Sequence, residues 1–498
     1  MNAPLRRVGV VVMVLFALLF LNLNWVQAYK ADEYRTSEYN TGRVQVAEYQ
    51  RERGPIVVGR DTIPVAVSEE TDGRLRFLRT YPEPRRWAHV IGYKPVLIGA
   101  TGLEQSEDDF LAGNADRFFV DRIWDLFGGP SVGGAVQTTL SRPTQQTAFE
   151  QLRDATERGA VVALDPRTGA VQAMVSLPSF DPSPLASHDT VAAQQAYEEL
   201  DQDPVQPLLN RAVAERFPPG STFKVIDSAA ALQRGFTPDS ELAGGAEYLP
   251  PTAGQPIRNA PGVVCPNQLT LAQALAVSCN TAFSRLAAEE LGADALKQTA
   301  AEFGFTDDAL TVGRLDGRGI PVAESVTGDM LREDGQEDPP TVAQSAIGQA
   351  SVQMTPMQGA MVAAAVANNG VQMRPYLIEQ LQDADLRPVY RADPEELRRP
   401  IPPEVAAPLQ DMMVGVVTGG TGGNAAISGT VVGGKTGTAE TGQDTADHGW
   451  FIGFAIVAGQ PVSAVAVLLA NAGSGGSGQA ARIAGQVMQA AIADNGGS

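Results

Sequence analysis

The longest unbroken apolar stretch lies near the start of the chain. Val8 to Leu21 carries no charge and continues through Asn22, Leu23, Asn24 and Trp25 to Val26. Arg6 and Arg7 precede it, and no acidic residue appears before Asp32. Counted to Val26, the stretch is 19 residues long, enough for a helix to cross roughly 30 Å of hydrocarbon. Positive charge ahead of it predicts a cytoplasmic N-terminus and an extracytoplasmic remainder. Val26-Gln27-Ala28 also passes as a small-residue cleavage site, so a removed signal peptide is the alternative. The length favours a retained, single-pass anchor in the cell membrane.

Beyond it the pattern changes twice. Residues 29–145 are charged and weak in helical periodicity, with short β-prone runs such as "GPIVVG" and "TIPVAVS". They predict a small strand-rich module. A strand is expected at Ala135–Leu140 and a helix after Pro143. Ala160–Leu164 and Ala170–Ser176 flank Asp165-Pro166-Arg167-Thr168-Gly169, the turn chemistry of a hairpin. Residues 215–305 read as helices. Thr270 with Gln273 and Thr355 with Gln358 are capping-box patterns, the second with Pro356 at the first helical position and a stop at Asn369-Gly370. The acidic stretch 307–340 ("LREDGQEDPP" at its end) predicts an exposed insertion. After 429 the alternation of strands returns, and a Gly/Ser loop at 473–478 leads to a last helix, Gln479–Ala493. Strands from both ends around a helical middle predict an α+β fold, an antiparallel sheet with helices packed on it. The expected division is 1–28 cytoplasmic tip and anchor, 29–145 N-terminal module, and 146–498 main domain.

Composition removes several functions. The 498-residue chain is too long for one ordinary core. Its net charge is 37 − 57 = −20 with no dense basic patch, which argues against a nucleic-acid partner. Three histidines (His89, His188, His448) and two cysteines (Cys265, Cys279) leave little for a metal site, and none is expected. No cofactor motif stands out either. "GTVVGGKT", Gly429 to Thr436, matches the bare phosphate-loop pattern, but no helix start follows Thr438 and an extracytoplasmic domain meets little ATP.

Three short motifs carry chemistry. In "RFPPGSTFKVIDSAA", Ser221 and Lys224 are three residues apart at a helix start, so they share a face about 5–6 Å apart. A lysine whose charge is suppressed by burial is a base for a serine hydroxyl. Free backbone N–H groups at the helix start suit an attacked carbonyl oxygen. Ser278-Cys279-Asn280 ends the helix that Thr270 opens. If the link is extended, Ser278 and Asn280 face one way and Cys279 the other. Lys435-Thr436-Gly437-Thr438 lies on a strand, with Lys435 and Gly437 on one face and the threonines on the other; which face meets the cleft is not readable. A cation with hydroxyls suits a carboxylate ligand, and Gly437 admits a close backbone. Singly, each has a bland reading: a helix cap with a solvated lysine, a helix-to-helix turn, and an ordinary strand.

Together, spaced by 57 residues from Ser221 to Ser278 and 157 from Ser278 to Lys435, they resemble the signature of penicillin-binding proteins and serine β-lactamases. The surrounding "LDPRTGAVQAMVSLPSFDP", "SCNTAF", "AIGQASVQMTPMQ" and "HGWFIGF" are similar to class B penicillin-binding proteins over roughly 145–495. "RGPIVVGRDTIPVAVS" and "YKPVLIGATGLE" resemble the family's non-catalytic N-terminal module, most closely the short actinobacterial form. The resemblance implies a β-lactamase/transpeptidase-like domain acting as a peptidoglycan D,D-transpeptidase. Ser221 would attack the penultimate D-alanine of a D-Ala-D-Ala stem peptide, with Lys224 as base and Ser278 as proton shuttle. Asn280 would hold the substrate amide; Lys435, Thr436, Gly437 and Thr438 would bind the terminal carboxylate. The N–H groups of Ser221 and Thr438 would form the oxyanion hole. β-Lactam antibiotics would acylate Ser221. Glycan polymerisation would fall to a glycosyltransferase partner in the cell-wall machinery. Cys265 and Cys279 fit a disulfide in that compartment, with two free buried thiols as the alternative. Rival functions are a D,D-carboxypeptidase, which shares all three motifs, and a non-enzymatic membrane-tethered β-lactam sensor, for which only seven residues precede the apolar segment. A β-lactamase would need a Glu-x-x-Leu-Asn stretch, and a Ser-His-Asp hydrolase a G-x-S-x-G elbow; neither is found. His448 is expected to order a strand turn.

Overall fold

The computed structural model describes residues 2–30, 46, 48–114, 132–442 and 445–496. Its first helix, α1 (Asn2–Asn24), runs into a wider turn at Trp25–Tyr29. The 22-residue segment Arg6–Gln27 is the one stretch among the described residues long and apolar enough to cross a membrane, and none of the described residues covers it.

Strands β1 (Ile56–Val58), β2 (Ile63–Glu70), β3 (Phe77–Thr80) and β4 (Ala135–Thr138) belong to a first sheet. Helix α2 (Arg142–Arg153) follows, opened by Ser141, whose side chain accepts from the Thr144 N–H. β5 (Gly159–Leu164) and β6 (Val171–Leu177) form the expected hairpin. Next come α3 (Lys224–Gln233), α4 (Leu271–Val277), α5 (Asn280–Leu286), α6 (Gly292–Glu302) and α7 (Pro356–Ala367). β7 (Ile378–Gln382), β8 (Pro388–Arg391) and α8 (Pro403–Gly419) precede β9 (Val431–Ala439), β10 (His448–Val457) and β11 (Gln460–Leu469); α9 (Gly476–Gly496) closes the chain.

The second sheet has the order β9-β10-β11-β5-β6, antiparallel throughout. Period-2 alternation divides its side chains between two cores. Val161, Ala163, Val465, Val467 and Leu469 pack with Ala148 and Leu152 of α2 and with Ile483, Val487 and Met488 of α9. Val162, Leu164, Ala464, Ala466 and Leu468 face the other way, into the core that holds Met357 and Met361 of α7. α7 is buried on every side, which explains why its sequence is apolar all round.

The first sheet has the order β8-β7-β4-β1-β2-β3. β7 and β8 thus leave the second half of the chain to complete a sheet begun by residues 56–80, with β4 bridging β1 and β7.

Thr270 forms both bonds of its capping box with Gln273. At Thr355 only half forms: its hydroxyl accepts from the Gln358 N–H, while the Gln358 side chain donates to the Phe303 carbonyl at 2.7 Å. The 307–340 segment departs from the expected open insertion. Thr311–Gly313 pairs with Gly319–Pro321, Met330 is buried, and the Glu337 carboxylate accepts the Ala293 N–H at 2.8 Å, clamping the segment to α6. Residues 331–337 are exposed as expected.

Candidate active site

Pro219 and Gly220 turn the chain into a short 3₁₀ segment, Gly220–Phe223, which passes into α3 at Lys224. Gly220 has φ +53°, and its α-carbon faces the Thr438 carbonyl so closely that an added Cβ would lie 2.3 Å from that oxygen. Trp450 fixes the turn by donating from Nε1 to the Pro218 carbonyl at 3.0 Å. Phe223 packs edge-on against Phe305. Ser221 therefore sits half-buried at the helix start, as its motif predicts, and against the strand that carries Lys435.

Lys224 is fully buried. Its Nζ lies 3.1 Å from Ser221 Oγ, 2.9 Å from the Ser278 carbonyl, 3.3 Å from Ser278 Oγ and 2.7 Å from Asn280 Oδ1. A neutral amine has two N–H groups and one lone pair. The two carbonyl-type oxygens, Ser278 O and Asn280 Oδ1, accept but cannot donate, so they take the N–H groups. The lone pair is left for a hydroxyl proton, and Ser221 is within reach. Burial, and then the charge of Lys435, hold Lys224 well below its ordinary pKa.

Lys435, also fully buried, donates to Ser278 Oγ at 2.9 Å and to the Thr436 carbonyl at 2.9 Å. Burial lowers it to about 7. The Ser278 hydroxyl is thereby placed between two amines, as a proton shuttle requires. The strand's Lys435 face is the one that meets Ser278. Gly437 lies against the Pro219–Ser221 turn, where an added Cβ would be 2.7 Å from the Pro219 carbonyl. Thr436 Oγ1 bonds Thr421 Oγ1 at 2.6 Å, and Thr438, exposed at the rim, reaches Ser477 Oγ at 3.5 Å.

Ser278 and Asn280 both meet Lys224 while Cys279 turns away, but the cause is not an extended link. Ser278 is left-handed (φ 63°, ψ 42°), and Asn280 already begins α5. Cys279 is bonded to Cys265, and the disulfide closes a 14-residue separation, a constraint worth about 3 kcal/mol by loop entropy. Asn280 Nδ2 donates to the Arg258 carbonyl at 3.0 Å, and among the described residues its other N–H has no protein partner.

Four neighbours escaped the sequence reading. Arg258, Thr421 and Ser477 arrive from distant segments and leave no local signal. Asp227 had one: it follows Lys224 at i+3. It is fully buried, and among the described residues neither carboxyl oxygen has a hydrogen-bond partner. Burial pushes it well above the usual carboxylate range, which favours its neutral form beside an amine whose charge burial also disfavours. His448 accepts the Asn471 N–H at Nδ1 (3.1 Å) and stacks edge-on with Phe217; burial lowers it to about 4. It orders the strand end, as expected.

The comparisons with known proteins agree with this geometry. The family described as "Penicillin binding protein transpeptidase domain" matches residues 159–489. The chain belongs to the penicillin-binding protein transpeptidases. A second family, described as "Penicillin binding protein A dimerisation domain", matches residues 53–136. This penicillin-binding protein is 42% identical to the peptidoglycan D,D-transpeptidase PbpA of Mycolicibacterium smegmatis over 99% of both chains. It is 40% identical to that of Mycobacterium tuberculosis, again over 99% of both. Among solved structures it is similar to penicillin-binding protein A from M. tuberculosis as a ceftriaxone acyl-enzyme complex, with TM-score 0.83 and 39% identity over 90% of this chain and 100% of that one. The penicillin G acyl-enzyme complex of the same protein gives 0.80 and 38%, over 89% and 100%. The match to class B members of short actinobacterial type is the one the motifs implied.

Proposed function

We infer that this protein cross-links peptidoglycan stem peptides by D,D-transpeptidation through an ester on Ser221. The observation that carries this is the Lys224 amine, 3.1 Å from Ser221 Oγ with both N–H groups engaged elsewhere. Ser221 attacks the carbonyl of the penultimate D-alanine while its proton passes to the Lys224 lone pair. The N–H groups of Ser221 and Thr438 receive the oxyanion. Ser278, bridged to Lys435, delivers a proton to the departing amine of the last D-alanine and is reprotonated by Lys224, which returns to the neutral amine. An amine from a second strand then attacks the ester and gives its proton to Lys224, which returns a proton to Ser221 Oγ as that oxygen leaves. Lys435, Thr436 and Thr438 hold the substrate's terminal carboxylate, and the free N–H of Asn280 its amide. A β-lactam places its ring carbonyl at the same point. Its leaving nitrogen stays tethered after ring opening, so the ester persists.

The uncovered helix Arg6–Gln27, with Arg6 and Arg7 ahead of it, supports a single-pass anchor with catalysis outside the membrane. Residues 29–145 then act as a non-catalytic pedestal below the transpeptidase domain of 146–498. Glycan strands come from a polymerising partner of the cell-wall machinery.

The test uses a fluorescent penicillin and a thioester ending in D-alanine, with and without a D-amino-acid amine acceptor. A long-lived penicillin adduct and product shifting to the aminolysed peptide as acceptor is added are expected. Rapid hydrolysis of the penicillin, or thioester turnover to water alone at every acceptor concentration, contradicts the reading.

A further inference from the structure

Ser278 bears two oxygens on which both buried lysines depend, and it holds them from a left-handed backbone that a residue with a Cβ adopts only where its surroundings impose it. Those surroundings are specific. The next residue, Cys279, is a fully buried sulfur that accepts the Ala282 N–H at 3.3 Å and so caps α5. That sulfur is bonded to Cys265. The segment ending at Cys265 also holds the other side of the turn: the Arg258 carbonyl takes Asn280 Nδ2, Asn259 Oδ1 takes the Thr281 N–H at 3.2 Å, and the Gly245 carbonyl takes the Thr281 hydroxyl at 2.9 Å. Asn259 and Cys265 are part-buried, and Arg258 is exposed. Of these links, the covalent bond and the buried Thr281–Gly245 hydrogen bond are the ones that water does not replace.

We propose that Cys265 is a positioning residue of the acylation reaction: through its bond to Cys279 it holds Ser278 and Asn280 on Lys224 and Lys435, and a thiol that reduces the bond releases them. The chemistry is balanced by a dithiol, which is oxidised to its disulfide while Cys265 and Cys279 each gain a proton and an electron. This rests on Lys224 serving Ser221 as base. Freed of the tether, Ser278 relaxes toward right-handed or extended backbone, its carbonyl leaves Lys224, and the lone pair is no longer aimed. Water also enters beside Lys224 and lifts it toward its ordinary pKa. The charged groups around that amine are Asp227 on its own helix and Lys435 on β9. On the tethered segment they are Arg258 and Glu247, both exposed and paired to each other. On the helices packed behind α3, Asp294, Glu404 and Asp411 face solvent, and Lys297 and Glu302 are part-exposed.

The experiment is stopped-flow acylation of the full chain, in detergent, by a fluorescent penicillin across pH. It compares the oxidised protein, the protein reduced with dithiothreitol, the reoxidised protein and Cys265→Ser. The acylation rate constant is expected to fall about tenfold or more in the reduced protein and in the variant. Binding of the penicillin before acylation should change little, the acid limb should move to higher pH, and reoxidation should restore the rate. Wild-type rates in either form overturn the proposal; so does slowing that comes only from weaker binding with an unmoved acid limb. Should Cys265→Ser not fold, the reduced and reoxidised wild type decides. If reduction itself unfolds the chain, the bond serves the fold and the proposal fails. Ser221→Ala is run alongside: if it still acylates, the nucleophile assignment is lost, whereas its silence with a normal reduced enzyme removes this proposal alone.

Discussion

Lys224→Ala is expected to acylate with benzylpenicillin about 10²–10⁴-fold more slowly than the wild type, the span that a positioned general base supplies. The variant should nevertheless fold. Lys224 is buried without any carboxylate in salt-bridge contact among the described residues, and burial favours the neutral form of its neighbour Asp227. Removing the amine therefore leaves no unpaired charge behind, which separates this case from a broken buried ion pair. The sign of the pH dependence follows from the same burial. Wild-type Lys224 releases its proton well below 10.5 because charge is disfavoured in the dry site and Lys435 adds repulsion. The amine is thus freed at lower pH than an ordinary lysine's, and acylation falls as pH drops and Lys224 becomes protonated. In the variant that limb disappears along with the rate. Stopped-flow rates across pH, with a thermal melt of each protein, check both halves.

Gly220→Ala is expected to lose about 100-fold in acylation while changing stability far less. Two costs act at this position. A left-handed φ of +53° penalises any Cβ by about 1 kcal/mol. The larger effect is steric: the new Cβ would lie 2.3 Å from the Thr438 carbonyl, a backbone atom of edge strand β9, which its unbroken ladder with β10 holds in place. The nucleophile turn has to yield instead, by about 1 Å, and a displacement of that size from a near-attack geometry costs roughly 100-fold. Pre-acylation binding, rate constant and melting temperature of the variant distinguish this from a general loss of fold. An unchanged rate constant would mean that Ser221 is not held by its contact with β9.

These two residues also mark what a sequence shows and what it hides. Ser221 and Lys224 were legible because both sit on one helix, where spacing fixes neighbourhood. The five-stranded sheet was legible because "GAVVAL" and "VSAVAVLL" are short, valine-rich apolar runs, the pattern of strands covered on both faces. β7 and β8 were not: both are short and weakly alternating, and β7 pairs with β4, more than two hundred residues earlier, while β8 pairs with β7 at the sheet edge. The Ser278–Asn280 turn gave the right side chains from the wrong backbone, because a left-handed serine is imposed by tertiary contacts that no local pattern encodes. Thr421, Ser477 and Arg258 were hidden for the same reason. Asp227 was visible at helical spacing, yet only burial distinguishes it from a solvated acid.

The central claim is that one hydroxyl is the nucleophile because a free amine stands beside it. Mass spectrometry of the protein digested after reaction with benzylpenicillin tests this directly. The penicilloyl mass is predicted on the peptide containing Ser221, at that residue, and is predicted to be absent from Ser221→Ala treated in the same way. An adduct mapped to any other residue, or trapping of Ser221→Ala at the wild-type rate, would contradict it.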